Sequence, residues 1–245
     1  DNSKNFPSIK EISISTAMLE DKVKKDVETL AKKDKVILFN LTKDVHVIHK
    51  DYFEKVTGEI LDYLNSYHKK YPLRTGVLKE EIRSRYLNTA KPLIGEKFID
   101  LLIERGFIEQ HKDKIALKDF KVELNNMQLK IKENIVDNFK GKGFIPPKKE
   151  EVIESCSHYQ EAEEVFNYLV EKGEILKINE EVYMHRDDYE KALILAKDFI
   201  NKNGQITVAE YRDLLNTNRK VALALLEYFD SLKITRREGN MRKLN

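Results

Sequence analysis

Two hydrophobic rhythms share the chain. Long stretches place apolar side chains every three or four residues, the repeat of a helix packed on one face, and short runs rich in Ile, Val and Leu follow them, as strands require. The change of rhythm recurs at Leu30-Ala-Lys-Lys-Asp34-Lys-Val-Ile, Leu102-Ile-Glu-Arg-Gly106-Phe-Ile, Leu169-Val-Glu-Lys-Gly173-Glu-Ile-Leu and Tyr228-Phe-Asp-Ser-Leu232-Lys-Ile-Thr. The turn positions 34, 106, 173 and 232 lie 72, 67 and 59 residues apart, which marks an internal repeat. Gly106 and Gly173 stand where a helix end needs left-handed backbone, and β-formers follow at once.

A second strand completes each copy: Val45 to Ile48, Ile115 to Leu117, Val182 to Met184 and Met241 to Leu244. Polar residues join the strands, at Lys43-Asp44, His111 to Lys114, Asn179 to Glu181 and Glu238-Gly239-Asn240, as hairpin turns require. Three copies leave through a similar exit, His49-Lys-Asp51, Leu117-Lys-Asp119 and His185-Arg-Asp187, where Asp is placed to cap the next helix.

In the last copy a helix from Lys191 to Asn203 ends at Gly204, and Gln205 to Thr207 reads as a short strand. Thr207 caps a helix to about Leu215, and Asn216-Thr217-Asn218 opens another that buries Val221, Leu225, Leu226 and Phe229. Helix, helix, turn, helix and hairpin is the winged helix-turn-helix order. The fold class expected is therefore mainly α with small β-hairpins, α+β, as a tandem array of four winged-helix domains. Their expected spans are 1–55, 56–120, 121–189 and 190–245. No helical pattern opens the first copy ahead of Ile12, as in a domain truncated at its N-terminus, and the second carries an apparent insertion from Tyr86 to Lys97.

Composition narrows the function. Nine Gly, five Pro and no Trp among 245 residues disfavour a dinucleotide-binding α/β enzyme. The formal charge is only +2, but its distribution is uneven: residues 191–245 hold 11 basic and 6 acidic residues, and residues 1–190 hold 33 and 36. The single Cys156 forms no internal disulfide and suits a reducing compartment. No apolar run reaches the roughly 18 residues of a membrane span, and Asp1-Asn2-Ser3-Lys4 is not a signal peptide. A soluble, cytoplasmic, monomeric chain is expected, and its polar start without Met suggests a piece of a longer one.

Placement of the cations matters more than their number. Arg219 and Lys220 occupy the first turn of the last module's third helix, where the macrodipole disfavours cations. Arg236, Arg237, Arg242 and Lys243 decorate the wing beside it, with only Glu238 among them. Such a surface binds nucleic-acid phosphate, unless it is a solvated basic face. Module three carries Glu161, Glu163 and Glu164 on the corresponding helix, which would repel phosphate, so modules one and three read as spacers or protein contacts.

The run Ile206-Thr-Val-Ala-Glu-Tyr-Arg-Asp-Leu-Leu215, then Thr217-Asn-Arg-Lys220, Leu225-Leu-Glu-Tyr-Phe-Asp230 and Thr235-Arg-Arg-Glu-Gly239, resembles the C-terminal module of SelB, the bacterial selenocysteine-specific elongation factor family. Pro72-Leu-Arg-Thr-Gly-Val-Leu-Lys-Glu-Glu-Ile-Arg83 is similar to that family's second winged helix. The resemblance implies a C-terminal extension that binds the selenocysteine insertion (SECIS) hairpin in mRNA and directs selenocysteine incorporation at UGA codons. It further implies the ribosome as partner, and an absent N-terminal part that binds GTP with Mg and selenocysteinyl-tRNA. The chain has no Gly-x4-Gly-Lys-Ser/Thr loop; Gly141-Lys-Gly143 reads as a turn, and no cofactor or GTP hydrolysis is expected of the chain itself.

Specific RNA readers contact loop phosphates, 2′-hydroxyls and extruded bases, because A-form RNA hides its major groove. Arg219 and Lys220 would clamp the backbone near the hairpin loop, and Arg236, Arg237, Arg242 and Lys243 would continue the phosphate track. Thr217 and Asn218 are hydrogen-bond donors to RNA or helix caps. Arg212 joins the patch or pairs with Glu210 or Asp213. Asn218 replaces the smaller residue expected at that point of the family's pattern.

Rival readings have less behind them. His46, His49, His68, His111, His158 and His185 are scattered without metal-ligand spacing, and recurrence of His49 and His185 at module exits points to structure. Cys156 adjoins His158, yet no nucleophile-elbow pattern surrounds them. A transcription regulator reading DNA needs basic recognition helices in more than one module. A protein-interaction scaffold remains the third reading. Arg74, Lys79, Arg83 and Arg85 in module two are interrupted by Glu80 and Glu81, a pattern of surface ion pairing.

Overall fold

The computed structural model describes residues 3–245; Asp1 and Asn2 of the polar opening lie outside the described residues. The chain divides into two compact units between Val122 and Glu123.

In the first unit a turn of 3₁₀ helix, Ser3–Asn5, precedes helices α1 (Ile9–Thr16) and α2 (Glu20–Lys32) and the hairpin β1 (Val36–Asn40) and β2 (Val45–His49). There follow α3 (Lys50–Lys70), β3 (Val77–Leu78), α4 (Lys79–Tyr86), α5 (Pro92–Glu104), β4 (Ile108–His111) and β5 (Lys114–Leu117). Strands β1 and β2 pair antiparallel with Val36 opposite His49, and the second sheet has the order β3-β5-β4. Helix α1 begins at Ile9, ahead of Ile12, because Ser8 and Glu11 form a reciprocal capping box. Phe6, Ile37, Phe39 and Ile48 of the first segment join the core of the second, while Ile9 of α1, Val23 and Val27 of α2 and Val47 form a smaller core of their own. Phe98 lies 4.8 Å from Phe53 and 6.2 Å from Phe6 between ring centroids, and Ile60, Leu64, Ile82 and Ile115 pack around them. Each such side chain contributes about 1.5–3 kcal/mol when fully buried.

The second unit opens with α6 (Asn126–Phe139), α7 (Lys149–Glu154), α8 (Tyr159–Lys172) and the hairpin β6 (Ile175–Lys177) and β7 (Tyr183–His185). Then come α9 (Arg186–Asn203), β8 (Ile206–Thr207), α10 (Val208–Leu215), α11 (Arg219–Ser231), β9 (Thr235–Glu238) and β10 (Met241–Leu244). The last sheet has the order β8-β10-β9. Ile178, Val182 and Met184 of the earlier segment share a core with Ala196, Tyr211, Leu225 and Phe229. The Tyr211 hydroxyl donates to the Ala192 carbonyl at 2.8 Å, and burial pushes its pKa far up.

The full order helix, strand, helix, helix and two-stranded wing is present in α3–β5 and in α9–β10. The segments α1–β2 and α6–β7 keep helices and a hairpin, each as a two-stranded sheet. The architecture is thus helix-rich with small sheets, built on winged helices.

Several sequence expectations shift. The fourth turn is at Lys233, not Leu232: Asp34, Gly106, Gly173 and Lys233 are the left-handed residues, at φ 55°, 72°, 69° and 57°. The amide after each turn donates back to Leu30, Leu102, Leu169 and Phe229, so Phe229 is the positional equivalent of those leucines. The exit Asp residues are not the caps. His49 and His185 are, each accepting through Nδ1 from the amide of Asp51 or Asp187 at 3.2 Å, while Asp119 sits at φ 62° with no helix directly after it. The insertion expected from Tyr86 to Lys97 reduces to a longer turn: α4 ends at Tyr86 and Pro92, with its fixed φ, starts α5, so residues 87–91 stand where 216–218 join α10 to α11. Since α3 and α9 begin directly at the strand ends, the divisions at 55/56 and 189/190 fall inside helices.

Candidate nucleic-acid interface

The basic surface is built on the turn between α10 and α11. Asn216, at φ 50°, closes α10 by donating its amide to the Arg212 carbonyl. Thr217 donates its hydroxyl to the Phe144 carbonyl, in the loop between α6 and α7. Asn218 caps α11, its side chain accepting from the Val221 amide at 2.9 Å. Both polar residues are therefore engaged in the fold, and Arg219 and Lys220 follow as the first helical residues. The opposite face of α11, with Ala222, Leu225, Leu226 and Phe229, is buried and fixes where those cations stand.

Strand alternation sorts the wing cations onto two faces. Arg236 and Lys243 are register partners and share a face with Glu238. Glu238 accepts from Arg236 Nε at 3.0 Å and pairs with Lys243 Nζ at 2.7 Å. The ammonium of Lys243, then the guanidinium of Arg236, hold its carboxyl below the usual range. Arg237 and Arg242, also register partners, are on the other face, which meets α11.

Arg242 is only 2% exposed. Its Nε lies 3.2 Å from Asp230 Oδ2, while the other carboxylate oxygen accepts from the Thr235 hydroxyl at 2.5 Å. Its Nη2 is buried without a protein partner. With Arg219, Arg237, Leu223 and the start of α10 at Thr207 and Val208, Arg242 lines a cleft of about 410 Å³. Three of the six expected cations thus converge on one concavity, and two are drawn to Glu238 on the far face of the wing. Lys220 pairs with Glu181 of the β6–β7 turn at 2.6 Å, and its ammonium keeps that carboxyl below its ordinary pKa. Arg212 does not join the patch: it pairs with the neighbouring Asp213 through Nε at 2.7 Å and Nη2 at 2.6 Å.

Asp230, Glu181 and the Phe144 carbonyl escape sequence reading because their partners are remote in the chain. Division of the wing into two faces was available from period-two alternation. In module two, Lys79 pairs with Glu96, and Arg83 with Glu80 and Glu96 at 3.0 and 2.9 Å. Arg74 and Arg85 instead lie 4.4 Å over the rings of Tyr71 and Tyr63. Burial raises the pKa of the Cys156 thiol, the opposite of what a thiolate nucleophile needs. Among the described residues no helix is long and apolar enough to cross a membrane.

Residues 61–117 and 198–244 match two family models, for a second and a third domain, both described as elongation factor SelB, winged helix. A selenocysteine-specific elongation factor of Desulfomicrobium baculatum is 25% identical over 97% of this chain and 37% of its own length. That of Haemophilus influenzae is 27% identical over 78% of this chain and 31% of its own length. The chain spans about a third of the length of these curated relatives. A solved mRNA-binding domain of Escherichia coli SelB, in complex with SECIS RNA, is 25% identical, with a TM-score of 0.44, over 50% of this chain and 99% of that one. The chain thus carries two segments that match SelB winged helices, and it aligns along nearly its whole length with a selenocysteine-specific elongation factor.

Proposed function

We propose that the chain is the mRNA-binding arm of a selenocysteine-specific elongation factor and that the α9–β10 module binds the SECIS hairpin. The observation that carries this reading is the cleft between α10, α11 and the wing, because it lies in the segment matched by a SelB winged-helix model and gathers Arg219, Arg237 and Arg242. Arg219 and Arg237 meet RNA directly, through phosphates or by stacking on an extruded base. Arg242 acts from beneath: its buried Nη2 adds a fixed positive field to the cleft floor while Asp230 holds its Nε. Arg236 and Lys243 extend the track on exchanging their shared carboxylate, Glu238, for phosphate. Thr217 and Asn218 position the helix start rather than read the RNA.

In this reading the chain turns over no substrate and holds no cofactor. GTP, magnesium and selenocysteinyl-tRNA belong to the part of the relatives' length that this chain does not span, and the ribosome is met by the assembled factor in the cytoplasm. The array acts as a monomer. Titration of the whole chain against a labelled SECIS-type stem-loop and a scrambled hairpin of equal length tests the proposal. A marked preference for the true hairpin, lost in Arg219→Ala and Arg237→Ala, is expected; equal binding of both RNAs would overturn it.

A further inference from the structure

The loop from Lys140 to Lys149 joins α6 to α7, yet it lies against the start of α11. Gly141 and Gly143 adopt left-handed backbone at φ 69° and 65°, and Pro146 and Pro147 stiffen the segment that follows. Phe144 between them packs on the core around α11, and its carbonyl receives the Thr217 hydroxyl. This docking carries four lysines toward the helix whose first turn bears Arg219 and Lys220.

Two of the four have roles that tie them to the loop's own domain or leave them apart from the docked segment. Lys149 pairs with Glu163 at 3.1 Å and lies 5.4 Å from the Phe166 ring centre, so it serves α8. Lys140 ends α6 ahead of the glycines. Lys142 is exposed, two residues from the docked Phe144, and makes no ion pair with the described residues. Lys148 is exposed and pairs only loosely with Glu151, at 3.6 Å. It also lies within electrostatic reach of Glu181, the carboxylate that binds Lys220. A clamp on α11 requires only Phe144 and Thr217; the two lysines add nothing to it, and their charge continues the cationic edge begun by Arg219 and Lys220.

We propose that this loop is a second wall of the RNA-binding surface, with Lys142 and Lys148 as phosphate contacts supplied from outside the C-terminal winged helix. The inference rests on the hairpin-binding reading of α9–β10. It makes the RNA site composite, so the α6–β7 segment is more than a spacer. Phosphate is the ligand chemistry favoured, because the lysines extend the edge that bears Arg219 and Lys220, and the carboxylates among them, Glu151 and Glu181, are held in exposed pairs that yield readily to a stronger anion.

The test is the whole chain with Lys142→Gln and Lys148→Gln together, titrated with the labelled stem-loop over a salt series. Loss of both contacts should weaken binding about fivefold and flatten the log–log salt slope by roughly 1.5, at about 0.7–0.9 per contact. The thermal melt should not move. Lys24→Gln with Lys25→Gln, an equal change of charge on exposed α2 positions, should leave affinity and slope as they are. Unchanged affinity and slope in the loop variant would overturn the proposal, as would an equal loss in the α2 control. Failure of the unaltered chain to prefer the true hairpin would instead remove the RNA reading itself.

Discussion

Asp230→Ala leaves the Arg242 guanidinium buried without the carboxylate that holds its Nε at 3.2 Å. Removing one member of a buried ion pair costs about 3–5 kcal/mol, because the surviving charge remains out of water. Asp230 retains 22% side-chain exposure, so some water reaches the pair and the lower end, about 3 kcal/mol, is expected. At about 4 °C per kcal/mol for a unit of this size, the transition of the Glu123–Asn245 unit should fall by roughly 12 °C. Arg242→Met, which fills similar space without charge, should cost less than about 1.5 kcal/mol. The double substitution should recover most of the Asp230→Ala loss. Calorimetry or far-UV circular dichroism of the whole chain reports both units, and the chain has no Trp to follow instead. Equal, small losses in both single variants, with no recovery in the double one, would show that the pair is not a buried charge couple. RNA titration separates the wing arginines: Arg242→Met should change affinity about twofold, and exposed Arg237→Ala several-fold more.

Three further outcomes follow from local geometry. A Cβ at Gly76 would lie 2.5 Å from the Ile115 carbonyl oxygen across the β3–β5 pair, and backbone cannot yield, so Gly76→Ala should lower the stability of the first unit by about 2 kcal/mol or more, read as a urea midpoint shift. His68 is buried, stacks on Phe120 at 3.6 Å and accepts from the Leu117 amide through Nε2 at 3.3 Å, and burial holds its pKa below 6.5. The unfolded state therefore binds more protons as pH falls through 6.5, and the first unit should lose stability on acidification; His68→Gln should flatten that slope, and a stability gain in acid would refute the assignment. Glu181→Gln frees Lys220 for phosphate and should raise hairpin affinity about twofold at low salt, with the gain vanishing as salt screens it; fluorescence anisotropy checks this, and weaker binding would mean that the Lys220–Glu181 pair positions α11.

What sequence revealed depended on how local each signal was. Gly106 and Gly173 announced their turns because left-handed backbone favours glycine. At the fourth turn neither Leu232 nor Lys233 carries that signature, and only the hydrogen bond from Ile234 to Phe229 sets the register, one residue beyond the sequence expectation. His49 and His185 were seen to recur, but Asp is the commoner cap, and imidazole Nδ1 took the role instead. The cations of the last module were all visible. The two faces of the wing follow from strand alternation, but the burial of Arg242 depends on Asp230 and the quenching of Lys220 on Glu181, a residue of the preceding hairpin, and neither is a local signal.

His49 and His185 have a mechanical consequence. Each is the last residue of a strand and also the cap of the next helix, so no loop separates one segment from its successor within a unit. A joint with no spare length cannot swivel without breaking a helix cap or a strand pair. The second reinforcement is the core that each pair of segments shares. Each unit should therefore pass a displacement at one end to the other with little play, like a rod rather than a string of beads. Inserting a few glycines after His185 should restore the slack and uncouple the α9–β10 module from the hairpin beside it while both still fold.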